Sequence, residues 1–331
     1  MSATPTPTPA AAPFAFEAVT HVSWWHDGYS GMDALDARHA ILQSHSHWVG
    51  LLATWYMDLS SSNGIAPDPA DTPTDASLVQ AIQDLHSMGL HVMLKPHVDV
   101  KDGTWRGAIQ PRDASVWFAN YDSFLRHYAG IAQANGVELL NVGTELATMS
   151  DSRSLGAWTE ILSHVRADYA GPLTYGANAN APGDEFTSVS FWNLLDYAGL
   201  DVYAPLTSHP DPTVAELTSA WSNNRNGDDM LAAYRNWQAG HGKPVLFTEI
   251  GYRSLAGANS APWDFGLSGP PDDLEQANCY EAALGVFSQE SKWLKGVFFW
   301  AWPTSAPLPG DTDYTPRDKP AEAVLVKYFS P

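Results

Sequence analysis

Short runs of apolar residues alternate along most of the chain with longer segments whose apolar residues recur at helical spacing. The short runs are almost continuously hydrophobic, which is typical of strands buried on both faces, and the longer segments repeat apolar positions as an amphipathic helix does. The pattern predicts strands at residues 18–25, 48–55, 90–97, 137–146, 172–178, 197–203, 244–250 and 296–302. It predicts helices at residues 33–46, 75–88, 114–135, 154–169, 213–221, 228–240, 273–289 and 320–329, and a short helix at 191–195.

Eight strand–helix units in unbroken alternation predict an α/β protein of a definite kind, a closed parallel (β/α)₈ TIM barrel. A chain of 331 residues is long enough for such a barrel as a single domain, which we expect to span residues 14–331. Residues 1–13 are rich in Thr, Pro and Ala and are expected to form a disordered arm. This arm lacks the basic and apolar regions of a signal peptide. The location stays open between secreted and cytoplasmic in a bacterium.

Composition and charge limit the partners. The formal net charge of −20 argues against nucleic acids and anionic membranes, since both require a basic surface. No apolar run reaches the roughly 18 residues of a membrane span. The 14 Trp residues exceed what a core needs and indicate flat rings that stack on sugars, although core filling accounts for part of them. We expect a monomer without a cofactor. We also expect no metal site, because His97, Asp99 and Asp102 have the spacing of turn-forming residues rather than of metal ligands.

Two of the predicted strands end on the same pair of residues. The fourth runs into Thr144 and Glu145, and the seventh runs into Thr248 and Glu249. In a parallel barrel the carboxyl ends of all strands lie on the face that carries the active site, so both carboxylates are expected there. Hydrolysis of a glycosidic bond requires one protonated and one ionised carboxyl group, and this pair could supply them.

Aromatic and polar residues at the other strand ends predict a neutral, ring-lined pocket around the two carboxylates. Trp300 is expected to form the floor of the central sugar subsite, and His97 and Tyr203 to orient Glu249, although a lone barrel histidine is more often structural. The predicted substrate-binding residues are Trp24, Trp55, His97, Trp105, Asn178, Tyr203, Tyr252 and Trp300.

The motifs around these residues resemble glycoside hydrolase family 113, the β-mannanases of clan A, from about His21 to Trp302. The segments that carry the resemblance are 54–56, 93–99, 102–106, 142–146, 173–178, 201–206 and 247–254. The resemblance implies a retaining endo-β-1,4-mannanase that acts on a β-linked polysaccharide or oligosaccharide, with Glu145 as acid/base and Glu249 as nucleophile. Thr144 stands where the wider clan usually has Asn, which makes Asn178 the candidate to bind the 2-hydroxyl of the sugar.

Two alternatives stay open at this level. One is a retaining glycosidase or transglycosylase that acts on another β-linked glucan or on xylan. The other is a carbohydrate-binding barrel whose carboxylates have lost catalytic use. The two intact Thr-Glu pairs favour an enzyme, because a binding protein has no need of carboxylates on two opposed strands.

Overall fold

The computed structural model describes residues 13–330, so the predicted arm at 1–13 lies outside the described residues except for Pro13. The strands are β1 Phe16–Val22, β2 Trp48–Met57, β3 His91–Val100, β4 Leu139–Thr144, β5 Leu173–Asn178, β6 Ala198–Val202, β7 Val245–Ile250 and β8 Leu294–Pro303. The α-helices are α1 Met32–Gln43, α2 Asp75–Ser87, α3 Ala114–Ala134, α4 Leu155–Asp168, α5 Val214–Ala220, α6 Met230–His241, α7 Asp273–Phe287 and α8 Pro320–Phe329.

The eight strands pair in parallel and in chain order, and β8 closes the barrel onto β1. The predicted (β/α)₈ barrel is therefore confirmed. The helices are not distributed evenly, because α5 and α6 both lie between β6 and β7. The connection from β5 to β6 contains only 3₁₀ turns, at Glu185–Thr187 and Trp192–Leu194, and the second of these is the short helix predicted there.

The barrel interior changes from apolar to polar along its axis. Its lower part is filled by buried Ala18, Met93, Leu139, Leu246 and Phe298. Above them lie buried polar side chains that include Lys95, Asn141, Thr144, Asp201 and Thr248. A larger apolar cluster fills the layer between the strands and the surrounding helices. The apolar floor thus supports a polar chamber at the carboxyl ends of the strands, where active sites of such barrels lie.

Both Thr-Glu pairs lie at irregularities of the strand pairing. The register of β4 against β5 shifts between Asn141 and Thr144. The register of β6 against β7 shifts so that Thr248 has no paired residue on β6. Such bulges re-aim side chains and are common at barrel rims. Glu145 itself has a φ of 51°, in the left-handed region that a non-glycine residue rarely adopts. Its backbone is therefore strained, and neighbouring contacts must hold it in place.

Within residues 13–330, no helix is long and apolar enough to cross a membrane.

Candidate active site

A cavity of about 980 Å³ opens at the carboxyl ends of the strands. Its walls combine the two glutamates with aromatic, amide and acidic side chains. Residues that line it include Trp24, Tyr56, Asp99, Trp105, Arg106, Glu145, Asn178, Asn180, Tyr203, Glu249, Trp263, Phe265, Trp300 and Tyr314. This volume lies in the upper range of ligand pockets, which suits a ligand of several linked rings.

Glu249, at the end of β7, is buried and held at both carboxylate oxygens. Its Oε1 accepts a hydrogen bond from the Lys95 ammonium, and its Oε2 accepts one from the Tyr203 hydroxyl at 2.8 Å. The ammonium compensates the buried negative charge, and two donors, one on β3 and one directly after β6, fix the plane of the carboxylate. Glu249 is thus a preorganised carboxylate that presents its oxygens to the cavity.

Lys95 lies on β3 and is completely buried inside the barrel. Besides Glu249, its Nζ donates to Thr144 Oγ1 at 3.1 Å and to Asp201 Oδ2 at 3.4 Å. Burial, and after it the negative charge of Glu249, raises the pKa of Asp201 well above its ordinary value. Thr248 Oγ1 donates to the other oxygen of Asp201 at 2.6 Å. One cation therefore joins two carboxyls and the threonine that precedes Glu145.

Glu145 has different partners. Its Oε2 accepts from Trp105 Nε1 at 3.0 Å, and its Oε1 accepts from Asn178 Nδ2 at 3.1 Å. Arg106 Nη1 is 3.5 Å from Oε2, but the same guanidinium also donates through Nε and Nη2 to Asp99 Oδ1. The two hydrogen bonds of ordinary length to Glu145 thus come from neutral groups, whereas Glu249 is in contact with an ammonium.

His97 lies beneath the cavity and stacks parallel to Trp300, which lines it, with ring centroids 6.0 Å apart and planes 4° apart. Trp24 meets Trp300 edge-on at 6.1 Å. Burial, together with the charges of Lys95 and Arg106, lowers the pKa of His97 well below its ordinary value, so its ring is neutral. Its Nε2 lies 3.7 Å from Glu249 Oε1 and has no hydrogen-bond partner in the described part of the chain. His97 therefore supports the Trp300 ring and makes no hydrogen bond to Glu249.

Two residues predicted to bind substrate lie elsewhere. β2 continues past its predicted end to Met57, so Trp55 is within the strand and points outward, where its ring packs on Phe124 and Tyr128 of α3. Its neighbour Tyr56 faces the cavity instead. Tyr252 is also buried in the layer between barrel and helices, with its ring 6.4 Å from that of Tyr280 in α7. The prediction for Trp55 was wrong because β2 runs two residues further than expected, whereas β7 ends where expected and Tyr252 turns away from the cavity in the connection that follows.

The remaining predicted residues come together. Glu145, Glu249, Trp24, Trp105, Asn178, Tyr203 and Trp300 line one cavity, with His97 beneath it. Sequence reasoning did not select Lys95, although a lone lysine inside an otherwise apolar strand was a usable signal. Nothing in the sequence indicated Arg106 or Asp201 as partners of the carboxylates. Asp99 pairs with Arg106, and among residues 13–330 no group of three or more His, Cys, Asp or Glu could hold a metal ion.

The fold and this site can be compared with known proteins. The model of Glycoside Hydrolase Family 113 matches residues 20–319. The structure is similar to the family 113 β-mannanase AaManA from Alicyclobacillus acidocaldarius in complex with ManMIm, with 28% identity, a TM-score of 0.84, and 96% of this chain and 97% of that chain covered. It is also similar to a complex of a family 113 β-1,4-mannanase, with 25% identity, a TM-score of 0.84 and coverage of 96% and 98%.

More distant structures share the fold alone. One is XacCel5A in complex with cellopentaose, at 11% identity and a TM-score of 0.60, with 96% of this chain and 99% of that chain covered. A comparison with curated protein sequences gives no match. The family match covers most of the chain and agrees with the paired carboxylates in the cavity. The chain belongs to glycoside hydrolase family 113 and is a glycoside hydrolase.

Proposed function

We propose that this glycoside hydrolase is a retaining endo-β-1,4-mannanase that cleaves mannan and glucomannan by double displacement. Glu249 is the nucleophile and Glu145 is the acid/base. The observation that carries the proposal is the pair of carboxylates in one cavity with different partners. Glu249 accepts from an ammonium and a tyrosine hydroxyl, whereas Glu145 accepts its two hydrogen bonds of ordinary length from neutral groups and has the Arg106 guanidinium only at 3.5 Å. Opposed environments are what a glycosidase needs to keep one carboxyl ionised and the other able to carry a proton.

In the first step a Glu249 oxygen attacks the anomeric carbon while the bond to the leaving oxygen breaks. Glu145 donates its proton to that oxygen, and the shortened sugar chain departs. Lys95 and Tyr203 hold the two oxygens of Glu249, so the attacking lone pair is aligned without reorganisation. The product of this step is a glycosyl ester on Glu249, with Glu145 ionised.

In the second step Glu145 removes a proton from a water molecule that enters the vacated position. The water oxygen attacks the anomeric carbon and releases Glu249 as a carboxylate, which restores both groups to their starting states. Two inversions at one carbon give a product of retained β configuration. Asn178, which donates to Glu145 Oε1, keeps this carboxyl directed at the reacting bond in both steps.

The aromatic side chains provide the sugar subsites. Trp300 rests on His97 and presents a ring to the cavity next to Glu249, a position suited to stacking on the sugar that is cleaved. Trp24 and Trp105 are 44% and 48% exposed and line neighbouring parts of the cavity. Aromatic surface along a large cavity supports binding of several sugars of one chain, and hence internal cleavage.

The choice of mannan is supported by the family and by the similarity to solved β-1,4-mannanases. We expect release of reducing sugar from mannan and glucomannan, with little from cellulose and xylan when the four are assayed side by side. Viscosity should fall early relative to the gain in reducing ends, because internal cleavage shortens chains fastest. Faster cleavage of cellulose or xylan would overturn the substrate assignment, and binding without release of sugar from any polymer would overturn the catalytic one.

A further inference from the structure

Glu185 is a buried carboxylate next to the active site that the proposed mechanism does not use. It lies in the 3₁₀ turn after β5, is 6% exposed, and does not line the cavity. Its Oε1 accepts hydrogen bonds from Tyr175 OH at 2.6 Å and Ser150 Oγ at 2.8 Å, and its Oε2 accepts from the Asn178 backbone N–H at 2.9 Å. Three donors thus engage both oxygens of this carboxyl group and fix its orientation.

Two connections run from Glu185 to Glu145. In the first, the Tyr175 hydroxyl donates to Glu185 and accepts at 2.8 Å from the backbone N–H of Leu146. Leu146 is the residue directly after Glu145. In the second, Glu185 holds the backbone of Asn178, whose side chain donates to Glu145 Oε1. One carboxylate thus restrains both the backbone next to Glu145 and a direct partner of its side chain.

The backbone restraint matters because Glu145 has a φ of 51°. A residue in this region persists only where surrounding contacts fix it. The N–H of Glu145 donates to the Gly176 carbonyl at 2.7 Å, and the N–H of Leu146 donates to Tyr175 OH, so β5 holds both sides of the strained residue. Without the Glu185 acceptor, the Tyr175 hydroxyl loses the group that fixes its orientation.

We propose that Glu185 is a positioning residue for the acid/base Glu145, acting through Tyr175 and Asn178. The inference rests on the proposed role of Glu145. Burial raises the pKa of Glu185 to about 7, and the negative charge of the nearby Glu145 adds to this rise. Misplacement of Glu145 should slow proton donation and leave the attack by Glu249 intact.

The test compares substrates that differ in their need for an acid. Glu185→Gln keeps the size of the side chain, but its amide cannot accept from all three donors. We expect Glu185→Gln to lower kcat/KM on mannan about 10- to 100-fold, and to lower kcat/KM on a 2,4-dinitrophenyl β-mannoside less than about threefold, since that leaving group needs no proton. Equal losses on both substrates would overturn the proposal, because a merely structural defect affects both alike.

Tyr175→Phe provides a second variant in case Glu185→Gln does not fold. Its ring is enclosed by Trp158 and Phe191, so the substitution removes only the hydroxyl. Tyr175→Phe should also lower kcat/KM more on mannan than on the 2,4-dinitrophenyl β-mannoside. In the double variant, the fold-loss of kcat/KM on mannan should be smaller than the product of the two single fold-losses. If the two fold-losses simply multiply in the double variant, Glu185 and Tyr175 act independently, which would contradict the proposal.

Glu290→Gln is the matched control. Glu290 is also a buried carboxylate, but it pairs with Arg235 and Trp293 away from the cavity. Its replacement should leave the ratio of the two activities unchanged. Glu145→Ala separates the inference from the proposed function. If Glu145→Ala does not lose more activity on mannan than on the 2,4-dinitrophenyl β-mannoside, the proposed role of Glu145 is wrong. If Glu145→Ala shows this difference and the variants of Glu185 and Tyr175 do not, only the role of Glu185 is wrong.

Discussion

The hydroxyl of Tyr203 offers a sharp test of how Glu249 is held. It donates to Glu249 Oε2 at 2.8 Å, and both side chains are buried, at 8% and 5% exposed. A hydrogen bond to a charged group contributes about 1.5 to 3 kcal/mol. If the full bond is needed in the transition state, Tyr203→Phe lowers kcat/KM by roughly 10- to 150-fold. Glu249 keeps its contact with Lys95, so the variant should fold.

The assay measures kcat/KM of Tyr203→Phe on mannan and on a 2,4-dinitrophenyl β-mannoside. Both should fall together, because the nucleophile attacks in both reactions whatever the leaving group. Tyr314→Phe is the control, since Tyr314 also lines the cavity but its hydroxyl donates to the Pro262 carbonyl at 2.6 Å. A loss of less than about twofold in Tyr203→Phe, or an equal loss in the control, would refute the reasoning.

Three further substitutions test other parts of the account. Trp300→Ala should cost about 2 to 4 kcal/mol of transition-state binding in kcat/KM, while Trp25→Ala, which removes an exposed ring outside the cavity lining, should change kcat/KM little; similar losses in both would exclude a platform role. Lys95→Met should abolish activity and lower the free energy of unfolding in urea by about 3 to 5 kcal/mol, since it leaves Glu249 buried without its cation; an active variant of wild-type stability would contradict this. Glu17 has a pKa raised by burial from 4.5 to about 7, so the folded state binds the proton more tightly and the wild type should lose stability as pH rises between these values. Glu17→Gln should show a smaller loss over that range in urea titrations at several pH values, and an unchanged slope would contradict the assignment.

The sequence predicted the architecture well because strand and helix periodicities are local. All eight strands were located, with ends differing by a few residues. Glu145 and Glu249 were found because both end apolar runs, and this feature survives small errors in strand length. The outward turn of Trp55 shows the limit, since an error of two residues in the end of β2 made a mid-strand residue look like a rim residue. Alternation within a strand then decides which face a side chain occupies.

The partners of the carboxylates were less predictable because they depend on contacts between distant segments. Lys95 and Glu249 are 154 residues apart, and Trp105 reaches Glu145 from a loop. Glu185 lies in an irregular connection without periodicity, so nothing local marks it as buried. Such residues become visible only when the closed barrel brings the strand ends together.

The identity of the nucleophile is the central claim, and covalent trapping tests it most directly. A 2-deoxy-2-fluoro β-mannoside with a dinitrophenyl leaving group should glycosylate the enzyme slowly, with loss of dinitrophenolate, and water should hydrolyse the glycosyl-enzyme more slowly still, because fluorine destabilises both transition states. Intact-protein mass spectrometry should show one added glycosyl group, and peptide mapping should place it on Glu249, in strand β7. An adduct on Glu145, or turnover of substrate by a Glu249→Ala variant at the wild-type rate, would contradict the account.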